Sequence, residues 1–483
     1  MAAVSPLAFD CARYAALGSA GEREMHIFTW LSDLDAHLEA GAASADELKQ
    51  EQAQLERILL EVATIPGAAQ ARVGRRSSSW LGGNSKAGKG SAAAAGQVLE
   101  QVPKPSRAVR DLAARCLARV YGQGQMHGMG DVLYAIQAAM GAGVEATRLA
   151  ALACAGTLFE ALADRAGFRL LSCFNDFAAI MLKMARSSSE RVAVRTAATR
   201  ALARMLRGGS GGKTATEQQA RDILRVVRNN TTHRSPALVL ESLAAIEALA
   251  VGTPYVRAQS AGDPEQLVAA LLPLLATRVL VVRRAAARLV AVLMVRAVEQ
   301  PPVMAPVAPP PPRNLASPVP VPVHLHAATP PVRNSLDVRA MAGVRHATPE
   351  PADLAAAAAA AAAREAMASP SDAAPATWSL DRVLAWLAGP FTRAGASREL
   401  RAGIIDAYTA FSEELPGDGV AAHYNELATH VLVSLAQRAQ SPTDCDEAHR
   451  QADVLALRSM CTWLLRALAR RLPDADARRR VAE

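Results

Sequence analysis

Two glycine-rich segments carry the residue types that cradle phosphate, and neither has the surroundings this chemistry needs. The run Arg207-Gly208-Gly209-Ser210-Gly211-Gly212-Lys213-Thr214 ends in Gly-Lys-Thr, but Arg207 stands where a phosphate loop needs its first glycine. The run Gly83 to Lys89 has the spacing, yet Gly90 takes the place of the Mg²⁺-binding Ser or Thr. A phosphate loop also needs a strand before it, so that backbone amides converge on the phosphates. No strand-like run precedes either segment, so both are expected to be connectors.

Acid–base and metal chemistry is as thin. Asp33 and Asp35 lie two residues apart on a helical pattern and point to different sides, so they cannot share a substrate. Asp33 and His37, at i and i+4, are expected to make a helix-stabilising surface pair. Cys445 and His449 supply two ligands where zinc takes four. His324 and His326 fall in a proline-rich stretch with no scaffold to fix metal geometry. The cysteines, Cys11, Cys116, Cys154, Cys173, Cys445 and Cys461, include no C-x-x-C pair, and most sit in apolar helical patterns as small buried hydrophobes. No G-x-S-x-G or H-E-x-x-H motif occurs. The expectation is a protein that is not an enzyme, with no catalytic, cofactor-binding or metal residues and no small-molecule substrate. Its partner-binding residues are not identified by any motif.

The elements that would position functional groups are helices. The chain has 483 residues, of which 51% are hydrophobic but only 4% aromatic, so Ala and Leu carry the apolar character. Those residues favour helix over strand. Helical patterns recur with a shared start: Val194-Arg195-Thr196-Ala197-Ala198 and Val282-Arg283-Arg284-Ala285-Ala286, with looser copies at Arg110, Arg148, Arg401 and Arg458 and a similar apolar helix from Ser235. Steps between these starts are 38, 47, 40 and 48 residues. The next, from Arg283 to Arg401, is 118, or 41 without residues 300–376; the last, 57, breaks the rhythm. A period near 40–47 with two helices per unit predicts an all-α fold, an α-solenoid of HEAT/armadillo-like repeats. The recurring Arg is expected to reach across the stack to a neighbouring repeat's carboxylate or carbonyl.

Two stretches differ from the rest. Residues 300–376 hold 16 of the 28 prolines and an Ala run from Ala355 to Ala363, and are expected to be a disordered insertion. Residues 72–104 are Gly- and Ser-rich and set Arg72, Arg75, Arg76, Lys86, Lys89 and Lys104 against Glu100 alone. This second insertion accounts for more than half of the net charge of +8. With one aromatic, Trp80, among its charges it lacks the makings of a nucleic-acid site, although it could draw the chain peripherally to anionic membrane surfaces. The expected organisation is a helical hairpin over 1–71, the insertion 72–104, repeats over 105–299, the insertion 300–376 and further repeats over 377–483. In the hairpin, Ser44 and Glu47 form a capping box. No secretory signal and no membrane-spanning run appear, which gives the expectation of a cytoplasmic protein.

Three segments carry a family resemblance. Ile27-Phe28-Thr29-Trp30-Leu31-Ser32-Asp33-Leu34-Asp35, Arg148 to Gly156 followed by Phe159-Glu160, and Arg398 to Ile404 running on to Tyr408 and Phe411 resemble helices of the HEAT repeat-containing protein five family. These are large clathrin-adaptor accessory proteins. The resemblance implies a scaffold in vesicle-mediated transport that helps to recruit clathrin-adaptor complex subunits and accessory proteins. It implies work in endocytosis and endosome-to-Golgi retrograde transport, at the trans-Golgi network, endosomes and endocytic vesicles. No catalytic residues come with it. Members are several times longer, so the chain is expected to be an N-terminal portion or the product of a shortened gene model, with an apolar patch exposed on its last helix around Leu455, Leu457, Met460, Cys461, Leu464, Leu465 and Leu468. The same fold also serves importin-type transport receptors and microtubule-associated arrays, which stand as alternatives.

Overall fold

The computed structural model describes residues 6–64, 105–163, 165, 167–208, 215–253, 264–299, 379–393, 396–415, 417–437, 447–472 and 479. By its contacts the chain divides into residues 1–301 with 377–483, and residues 302–376; every described residue falls in the first group. The segments 72–104 and 300–376, expected to be insertions, lie outside the described residues, as do Cys445, His324, His326 and the three lysines of the glycine-rich runs, Lys86, Lys89 and Lys213.

Among the described residues the regular structure is helical and no strand occurs. In chain order the helices are α1 (Cys11–Ala16), α2 (Ala20–Glu39), α3 (Ala45–Thr64), α4 (Arg107–Gln123), α5 (Met129–Met140) and α6 (Glu145–Leu162). There follow α7 (Gly167–Arg186), α8 (Val192–Arg207), α9 (Glu217–Asn230), α10 (Pro236–Gly252), α11 (Pro264–Ala269), α12 (Leu272–Leu275) and α13 (Leu280–Glu299). The remainder are α14 (Leu380–Thr392), α15 (Arg398–Glu414), α16 (Gly417–Ala422), α17 (Tyr424–Thr429), a wider π-helical stretch (His430–Gln437) and α18 (Glu447–Arg470).

Their contacts define two layers. One layer stacks α2, α4, α6, α8, α10, α13, α15 and α18, each against the next. The other holds their partners: α3, α5, α7 and α9 pack in that order, and each also packs on the stacked helix that follows it in the chain. This is an α-solenoid. Every recurring Arg start identified in the sequence belongs to the first layer. The interval from Arg283 to Arg401 leaves no gap in the stack, because α13 packs directly on α15. The long final interval is also explained: α16, α17 and the π-helical stretch occupy the space of one partner helix before α18.

Local sequence sets the helix ends. Ser19 with Glu22 and Thr216 with Gln219 form capping boxes at α2 and α9. Ser44 and Glu47 do the same before α3, with reciprocal bonds of 3.1 and 3.2 Å. Each box satisfies backbone donors that a helix start leaves open. Between α2 and α3 the chain turns at Gly41, whose φ of 63° suits glycine alone among common residues. The core is aliphatic, with Leu117, Leu152, Leu202, Leu249, Leu293 and Ile404 all buried. Each such side chain contributes about 1.5–3 kcal/mol on leaving water. Small residues set the spacing of the layers. A Cβ on Gly403 in α15 would sit 2.7 Å from the carbonyl carbon of Leu275 and 2.9 Å from its Cα, so α12 is pressed directly on the α15 backbone.

Two expectations need correction. The apolar segment Leu267 to Leu275, whose pattern reads as one partner helix between the recurring helices, is broken into α11 and α12, with Pro273 in the first turn of α12, where its missing N–H costs no helix bond. The apolar positions of α18 are mostly core: Leu457, Cys461, Leu464 and Leu468 are buried against α15 and the π-helical stretch. The large apolar side chains left exposed on that helix are Val454, Leu455 and Trp463.

Candidate functional site

The recurring Arg joins repeats. Arg148 Nη1 donates to Glu190 Oε1 at 2.7 Å, just before α8, and Arg283 Nε to Asp406 Oδ2 on α15 at 2.9 Å. Arg195 bonds the Asn230 side chain at the end of α9 at 2.7 Å and the Ala185 carbonyl of its own partner helix at 3.3 Å. Arg401, 3% exposed, donates in the same way to the Phe391 carbonyl. Arg110 bonds only locally, to the Pro105 carbonyl, and burial lowers its pKa. Apart from Arg110, these arginines tie helix ends together, as the sequence suggests; Arg148 Nε is buried without a bonding partner.

A second set of charges lies deeper along the stacked helices. In order, the helices carry an excess of acid on α2, base on α4, acid on α6, base on α8, acid on α10, base on α13, acid on α15 and base on α18. Neighbours are therefore of opposite sign throughout, and most steps are bridged. Arg119 of α4 bonds Asp35 at 2.7 Å and Glu39 at 3.2 Å on α2. Arg204 of α8 bonds Glu160 of α6 at 2.6 Å and reaches Thr157 at 3.0 Å, while Arg207 also faces Glu160. Arg200 of α8 pairs with Glu241 of α10 at 2.7 Å. Arg288 of α13 sits between Glu247 of α10 and Glu414 of α15, at 3.8 and 3.4 Å.

Partly exposed pairs of this kind contribute little each, about 0–1 kcal/mol. Their order has a larger consequence. A stack that slipped by one repeat would set like charges side by side, so the alternation favours one register. Sequence reasoning noted the arginines and missed the alternation. The signal was present as the sign of net charge summed over each recurring helix.

The other candidate residues are accounted for. Asp35 is the partner of Arg119, and no bond joins Asp33 to His37. Cys116 and Cys154 are buried, and burial pushes both thiols up to about 12, so neither is a nucleophile near neutral pH. Among the described residues no cluster of three His, Cys, Asp or Glu is placed to hold a metal ion, and no helix is long and apolar enough to cross a membrane. Two open grooves lie between stacked helices. One, of about 430 Å³, runs along the seam of α4 and α6; the other, of about 260 Å³, lies between the starts of α2 and α4 and is lined by Met25, Phe28 and Val109.

No protein-family model matches the sequence, and no curated protein matches it. Among solved structures, importin beta crystallised in an ammonium sulfate condition is 12% identical, covering 95% of this chain and 55% of its own, at a TM-score of 0.38. A charge-reversal mutant of Kap121p is 11% identical, covering 96% and 45%, at a TM-score of 0.30. The chain thus spans about half the length of these structures. The solenoid assignment rests on the helix packing itself.

Proposed function

We propose that the chain is a non-enzymatic HEAT-repeat scaffold in clathrin-adaptor-dependent membrane traffic, of the kind found in the HEAT repeat-containing protein five family. The observation that carries this reading is the position of the three resembling segments. They fall on α2, α6 and α15, all in the same layer. Its partners would be adaptor-complex subunits and accessory proteins, met in the cytoplasm at trans-Golgi, endosomal and endocytic membranes.

The charge pattern weighs against the importin-type alternative. A receptor for basic cargo needs an open acidic row, whereas carboxylates on α2, α6, α10 and α15 are held by arginines of a neighbouring helix. A microtubule-associated array would need a basic loop, and the basic stretch 72–104 lies outside the described residues, so capture of tubulin decides that alternative.

Affinity capture from cytosol with the full chain as bait separates the readings. Recovery of adaptin subunits is expected. Recovery of tubulin or of the nuclear-transport GTPase, without adaptins, would overturn the proposal in favour of the corresponding alternative.

A further inference from the structure

Two steps of the charge ladder carry no ion pair among the described residues: α15 to α18, at its end, and α4 to α6, inside it. From α2 to α15, each pair of stacked neighbours is bridged by an ion pair except α4 and α6, where none occurs among the described residues. The reason lies in how the side chains are shared. Arg119 turns back to α2, and Glu160, the carboxylate that could have met α4, turns forward to Arg204 and Arg207 of α8. On the α4 side this leaves Arg115, one helical turn before Arg119, exposed and without a bonded partner. The nearest acid on its own helix, Asp111, is paired with Arg107 at 3.5 Å.

The two helices are packed on one another, with a shallow groove along their seam. The groove of about 430 Å³ between them is walled by Arg115, Arg119, Gln123 and Thr157 over Ala118, Gly122 and Ala161. Its small, largely apolar floor leaves room for side chains rather than for a helix. The polar groups at its rim are already committed, apart from Arg115. Gln123 donates to the Leu38 carbonyl, and Thr157 both donates to the Ala153 carbonyl and receives Arg204. A single free guanidinium over such a floor suits one carboxylate with a small or aliphatic neighbour. A nucleic acid would require a row of unneutralised cations, and the other arginine lining the groove, Arg119, is held by Asp35 and Glu39.

The geometry points to this groove as a docking site for a short acidic segment of a partner protein. Its Asp or Glu bonds Arg115, as a neighbouring helix's carboxylate bonds an arginine at the bridged steps, and the adjoining side chain rests on Ala118, Gly122 and Ala161. The inference deepens the scaffold reading by naming where one partner is held, and it rests on that reading only for the partner's identity.

The test is a selection of random twelve-residue peptides on the full chain, followed by fluorescence anisotropy of the enriched peptides. Binding is compared in Arg115→Glu, in the milder Arg115→Gln, and in Arg225→Glu, an exposed Arg on α9 that serves as a control for general charge. Because Arg115 is exposed, its variants are expected to keep the wild-type circular dichroism spectrum. The expected result is enrichment of peptides with Asp or Glu beside a small aliphatic residue, whose affinity falls at least tenfold in Arg115→Glu, less in Arg115→Gln and not in Arg225→Glu. A tenfold loss corresponds to about 1.4 kcal/mol. Absence of acidic peptides among those selected, or equal losses in Arg115→Glu and Arg225→Glu, overturns the site. Adaptin capture is scored on the same variants. Its failure with the wild-type chain counts against the trafficking role alone, and the peptide result stands or falls separately.

Discussion

The pair Arg283–Asp406 offers the sharpest test of the stack, because its partners are 123 residues apart in sequence and meet only if α13 and α15 are neighbours. The bond is 2.9 Å long, and the side chains are 18% and 21% exposed. Exposed pairs contribute at most about 1 kcal/mol, and charged hydrogen bonds in the interior about 1.5–3 kcal/mol, so this half-way environment implies a coupling of about 1–2 kcal/mol. Asp406→Arg alone removes that coupling and sets two guanidinium groups together. At 4 Å and an effective dielectric of 20 the repulsion is about 4 kcal/mol before the side chains swing away, so a loss of about 2–4 kcal/mol is expected. Arg283→Asp alone faces two carboxylates in the same way. The double swap restores opposite charges and is expected to recover most of the loss. Urea unfolding followed by far-ultraviolet circular dichroism on the four proteins gives the cycle. Losses that simply add, within about 0.5 kcal/mol, with no rescue in the double variant, would refute the adjacency of α13 and α15.

Two further outcomes follow from particular contacts. Gly403→Ala gains about 1 kcal/mol of helix propensity but drives a Cβ into the Leu275 backbone, which cannot rotate away, so a net loss of about 1–2 kcal/mol is expected in the same urea assay. Gly130→Ala in α5, where the new Cβ meets nothing, is expected to be neutral or slightly stabilising; a Gly403→Ala protein as stable as Gly130→Ala would show that α12 does not press on α15. Glu56 in α3 is held above the usual carboxylate range, chiefly by burial, even though Gln52 donates to it at 2.6 Å. An acid whose folded pKa is raised costs stability once pH exceeds its unfolded pKa, and the cost is complete above the folded value. Glu56→Gln is therefore expected to be stabilising relative to wild type near pH 7, with the advantage shrinking to nothing as pH falls below the ordinary carboxylate range; an advantage independent of pH would contradict the assignment.

Fold and site were legible to different degrees, for one physical reason. Helices announce themselves over a few turns, so Val194 to Leu206 and Val282 to Met294 disclose both their period and their kinship to one another. Helix starts are similarly local, which is why Ser44 and Glu47 could be named from the sequence. A break such as that between α11 and α12 is harder, since Leu267 to Leu275 has the apolar content of a helix and only Pro273 hints at the interruption. The fate of a charge is harder still. Arg115 and Arg119 are one turn apart with the same neighbours in sequence, yet one is paired and the other free, because the choice is made by Asp35 and Glu39 on α2 and by Glu160 turning towards α8.

The alternating charges connect these levels. Hydrophobic stripes alone would let any of these similar helices stack on any other, since Ala- and Leu-rich faces with the same spacing are nearly interchangeable. Opposite signs on successive helices remove that degeneracy, at the cost that nearly every charge on the face is consumed by its neighbour. A surface built this way offers few cations or carboxylates to a partner, so recognition has to come from apolar grooves or from a step where the pairing fails. The groove between α4 and α6 is both. Closing it from within should cancel it as a site: Thr157→Glu puts a carboxylate into the groove wall that Arg115 shares, and it should repel acidic peptides as Arg115→Glu does without removing the cation.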